Sequence, residues 1–146
     1  MLPSLEDVLK FEHANVIRTY VRTCNEEEHV ARELFKDMLR YLWLARKHAE
    51  DRIAHPESDA LKFQLVMHEE MRLIDNMWHN FILYTHDYTK FCQDYFGEYL
   101  HHVPDMADLI VQTNDEFAED MEKYLSYVYD QLGEETVKRW FSVYVN

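Results

Sequence analysis

The chain has 146 residues, 47% of them apolar, and sets 28 acidic side chains against 15 basic ones for a formal charge of −13. That length suits one compact domain with its own core, and so acidic a surface repels phosphate backbones and anionic bilayers, which excludes nucleic acid and membrane as partners. Two glycines and three prolines are too few for a turn-rich sandwich or barrel. The expected fold class is therefore all-α: a single helical domain over residues 1–146, built as an irregular bundle of about six helices.

The N-terminal stretch MLPSLEDVLKFEH lacks a basic segment followed by an apolar one, and no run approaches the apolar length of a membrane span. Export and anchoring are not expected, and the location expected is cytoplasmic. Cys24 and Cys92 are far apart and form no CxxC motif, so neither a zinc knuckle nor a redox dithiol is signalled.

In chain order, Ser4 with Asp7 resembles a capping box before Leu5, Val8 and Leu9, which predicts a short first helix. Val16, Ile17, Tyr20 and Val21 continue the period as a second short helix or a bent continuation of the first. Asn25 with Glu28 reads as a cap for a long amphipathic helix over 26–49, whose stripe is Val30, Leu34, Met38, Leu42 and Ala45. Pro56 places a loop over 52–59. A helix is then expected from 61 to 84, although its first turn, LKFQLV, also suits an extended chain. Thr85 and Asp87 reset the register for a short helix through Tyr88, Phe91, Cys92, Tyr95 and Phe96, stopped by Gly97. Beyond Pro104, the positions Leu109, Ile110, Phe117, Met121, Leu125, Val128 and Leu132 fit another helix ending at Gly133. A last helix over 134–145 uses Val137, Trp140 and Phe141.

Histidines concentrate between His68 and Pro104. With 100° per residue, His68, Asp75, His79 and, if the helix lasts that far, His86 share one stripe bordering the apolar face of Met71, Ile74, Trp78, Phe81 and Ile82. Carboxylates and imidazoles at such an edge are costly unless paired or bound to a metal. His68 and His79 lie about 16 Å apart along the axis and cannot share an ion, whereas Asp75 and His79, about 6 Å apart, can. Zinc, iron or manganese accepts that pair but needs at least one further donor, and His101 and His102 follow a glycine-stopped helix closely enough to fold back. The candidate metal ligands are thus Asp75, His79 and one or both of His101 and His102, holding one divalent transition metal such as zinc or iron. His68 or Glu69 is a candidate outer contact.

A purely structural role accounts for the same residues: Asp75 can bond His79 or pair with Arg72, and His101 or His102 can bond a helix-end carbonyl. Tyr84, Tyr88, Tyr95 and Tyr99 read as half-buried core residues with satisfied hydroxyls, and Cys92 as an inert core thiol. Met67, Met71 and Met77 read as packing, and Glu26, Glu27 and Glu28 as a favourable first helical turn. A di-iron centre of the ferritin kind needs Glu-x-x-His on two helices, and only Glu26 with His29 has that spacing here.

The residues Asp75-Asn-Met-Trp78-His79, Phe81-Ile-Leu, Thr85, Tyr88, Phe91-Cys92, Phe96-Gly97 and His101-His102-Val-Pro104, with Tyr41-Leu-Trp-Leu44 upstream, carry a resemblance to a known family. The pattern D-x-x-WH, an aliphatic run, T-x-x-Y and a late HH-x-P looks like that of the bacterial relatives of the glycine-rich domain-containing-protein-like family, over residues 41–104. The resemblance implies no established activity. It does mark Asp75, Trp78, His79, Thr85, Tyr88, His101 and His102 as pattern-bearing, and the chain departs from the plant members in having no glycine-rich tail.

Two functions remain in view. One is a metal-binding protein, as a hydrolase or oxidoreductase in which an open coordination position holds water. The other is a non-enzymatic interaction module, whose acidic, aromatic surface meets a protein partner or a second copy of the chain.

Overall fold

A computed structural model describes residues 2–103 and 113–145 of the chain. Every regular element among them is helical: α1 (Leu5–Val8), α2 (Ala14–Cys24), α3 (Glu28–Ala54), α4 (Arg72–Ile82), α5 (Thr85–Phe96), α6 (Asn114–Leu132) and α7 (Glu134–Val145). Single 3-10 turns occupy Asp59–Leu61 and Glu69–Met71. The all-α expectation holds, with seven α-helices among the described residues where about six were expected. None of these helices is long and apolar enough to cross a membrane.

The chain divides into two compact units. The first comprises Met1–Trp43 and Arg72–His101, the second Leu44–Met71 and His102–Asn146. In the first, the rings of Phe11, Phe35, Phe81 and Phe91 pack with centroids 4.6–6.1 Å apart. In the second, Phe63 lies among His48, Tyr124 and Tyr127.

Local chemistry sets the boundaries. Ser4 caps α1 by accepting from the Asp7 amide, as its spacing predicts. His13 starts α2 afresh, its Nδ1 accepting from the Val16 amide, so the second helix is separate and not a bent continuation. Asn25, expected to start the long helix, instead ends α2 in the left-handed region at φ 51, a conformation that asparagine tolerates better than most residues. The long helix runs to Ala54, beyond the expected 49. Pro56 restricts only the residue before it, so 52–54 stay helical.

The largest correction concerns the helix expected over 61–84, because only α4, Arg72–Ile82, is an α-helix there. Side chains of the second unit engage the carbonyls that a helix over 61–68 would use: Leu61 bonds His48 Nε2 and Val66 accepts from the Tyr124 hydroxyl. LKFQLV is not α-helical: Leu61 ends the 3-10 turn and 62–66 carry no regular structure. Farther on, Tyr84 leaves helical geometry at ψ 67, which places His86 on α5 and removes it from the α4 stripe. Gly97 closes α5 with φ 75 and Gly133 follows α6, both as expected. Thr113 caps α6, while the expected positions Leu109 and Ile110 lie outside the described residues.

Candidate metal centre

Asp75 and His79 occupy consecutive turns of α4, whose apolar face buries Ile74, Met77, Trp78 and Phe81. They sit at the margin of that face: the Asp75 side chain keeps 27% of its exposure and that of His79 55%. His79 Nε2 stands 3.8 Å from Asp75 Oδ1. His102 follows His101, the last residue of the first unit, by one peptide bond. One ligand atom each from Asp75, His79 and His102 lies within 4.8 Å of the others, and this is the single such trio among the described residues. A tetrahedral zinc ion spaces its ligands about 3.3 Å apart, so a contraction of at most about 1.5 Å, within reach of side-chain rotation, would bring all three to one ion.

The other expected participants lie elsewhere. His101 is exposed, with its ring 4.7 Å from that of Tyr99, and it is not in the trio. His68 belongs to the second unit, against the rings of Phe117, Tyr124 and Phe141, and the exposed Glu69 opens the 3-10 turn beside it. Neither is in the trio. His86 is exposed on α5.

Behind α4 runs a set of contacts that periodicity does not reveal. The indole N–H of Trp78 donates to the Tyr88 hydroxyl at 3.0 Å, and that hydroxyl donates to the carbonyl oxygen of Leu100. Tyr88, expected to be half-buried, is fully buried, and burial pushes its pKa well above the usual tyrosine value, which keeps the hydroxyl a donor. The Tyr99 ring meets the edge of Tyr88 at 5.3 Å. Cys92 is buried, as expected of a core thiol, and burial raises its pKa and keeps it unreactive.

Sequence reading also missed two polar clusters. His13 Nε2 bonds Asp87 at 2.7 Å across 74 residues of chain. In the second unit, Asp51 accepts from Lys47 at 2.9 and 3.0 Å and from the Tyr127 hydroxyl at 2.7 Å. Although desolvation pushes the Asp51 carboxyl up, these bonds prevail and hold it below the usual carboxylate range. This cluster lines a cavity of about 630 Å³ together with Lys123, itself paired with Asp59 and Glu119. Only the Lys47–Asp51 spacing of four could have signalled it.

No curated protein and no solved structure matches the chain. Nothing in the comparisons links the chain to the glycine-rich family that its D-x-x-WH pattern resembles. A family match spans residues 10–127, which include Asp75, His79 and His102, and by it the chain belongs to the UCP032817-like family.

Proposed function

We propose that this chain is a metal-binding protein in which Asp75, His79 and His102 hold one divalent transition metal ion. The observation that carries the reading is the approach of one carboxylate and two imidazoles to within 4.8 Å of one another. Such a donor set suits zinc, which takes histidine and carboxylate ligands tetrahedrally, and iron(II), which takes two histidines and a carboxylate on one face. Three protein ligands leave at least one position for water, and the half-exposed His79 leaves that position within reach of solvent. The ion would lower the pKa of that water or present an open site to a substrate, the chemistry of a hydrolase or an oxidoreductase.

Metal analysis of protein purified without a histidine tag tests it. About one equivalent of zinc or iron, lost on substituting His79 or His102, is the expected result. Less than about a tenth of an equivalent, with no gain in stability on adding either ion, would overturn the proposal. The cluster would then be left to the structural role, in an interaction module.

A further inference from the structure

Tyr88, which is not among the three candidate ligands, bonds the backbone two residues before His102. His102 lies in a non-helical segment, where no helical ladder fixes the backbone. Two residues before it, the Leu100 carbonyl accepts from Tyr88 on α5, and the same hydroxyl accepts from Trp78, the neighbour of His79 on α4. One buried hydroxyl thus ties the helix bearing Asp75 and His79 to the backbone leading to His102. We infer that Tyr88 is a positioning residue of the metal site, its hydroxyl fixing where the late histidine meets α4 through Trp78 and Leu100. The inference rests on the metal-binding reading above and adds to it the element that orders the third ligand. Groups that orient metal ligands from outside typically alter affinity by about 10- to 100-fold.

The test is Tyr88→Phe, which keeps the ring and its packing and removes only the hydroxyl. Zinc affinity of the untagged, chelator-treated chain is measured by competition with a chromophoric chelator, beside helicity by circular dichroism. Tyr84→Phe is the matched control, since it deletes a hydroxyl that bonds Thr19 and the Asn15 carbonyl on α2 instead. The expected result is about a 10- to 100-fold loss of zinc affinity in Tyr88→Phe at unchanged helicity, with Tyr84→Phe binding as the wild type does. Equal affinity in Tyr88→Phe and wild type, or an equal loss in Tyr84→Phe, overturns the inference and leaves the metal reading standing. A wild-type chain that takes up neither zinc nor iron overturns both. Should Tyr88→Phe lose its helical signal, Trp78→Phe, which removes the donor to the hydroxyl, takes its place with the same two outcomes.

Discussion

His79 Nε2 and Asp75 Oδ1 face each other at 3.8 Å across one turn of α4. That gap is too wide for a hydrogen bond and only slightly wider than two ligands of one ion.

The proposed metal site would divide the two late histidines, since only His102 belongs to the trio. His102→Ala should weaken zinc binding by about 100-fold or more, because two protein ligands rarely suffice for a zinc site. His101→Ala, which removes a ring resting on Tyr99, should leave affinity within about threefold. Isothermal titration of the two variants checks this, and the opposite ranking would show that the wrong histidine has been assigned.

Metal should also stabilise the fold. An ion that binds only the folded chain adds about 2.7 kcal/mol at a free concentration of 100 times its dissociation constant. Urea unfolding of the wild type with zinc should show that gain, and Asp75→Ala should abolish it. A gain retained in Asp75→Ala would place the ion elsewhere.

His13 has two structural bonds, one from each ring nitrogen. Because Nδ1 accepts from the Val16 amide, Nε2 carries the proton and donates to Asp87. Replacement by alanine removes both the cap of α2 and the bond to α5, and should cost about 1 to 2 kcal/mol of unfolding free energy. His13→Asn, which retains capping ability, should recover part of the loss in the same urea titration.

His48 supplies a pH dependence of defined sign. Burial lowers its pKa below the usual histidine value, outweighing the bond to the Leu61 carbonyl, and only 6% of the residue is exposed. The unfolded chain takes up the proton more readily than the folded one. Its contribution is therefore complete above the unfolded value of about 6.5 and is lost as pH falls towards the lower folded value. Unfolding midpoints between pH 7.5 and pH 5 should decline in the wild type and decline less in His48→Gln. Parallel curves would remove His48 as the cause.

How much of this was legible in advance depends on how local the cause is. The cap at Ser4, the stops at Gly97 and Gly133, and the pairing of Asp75 with His79 all arise between residues at most four apart. Asn25 misled because one residue type serves both ends of a helix, and only the backbone at φ 51 distinguishes them. The stretch 62–68 misled because its apolar pattern suits a helix, while Phe63 and the Val66 carbonyl are engaged by His48, Tyr124 and Tyr127 from far along the chain.

The amino-acid order by itself determined the helical class, the first cap, the glycine stops and the carboxylate–imidazole pair on α4, since periodicity and capping act within a turn or two. Only the tertiary structure decided that His102, and not its neighbour, completes the trio. It likewise decided that a tyrosine hydroxyl links α4 to the segment that delivers that histidine. Outside a helix, a side chain's direction is set by whichever distant donor satisfies the backbone beside it, and no spacing along the chain encodes that partner.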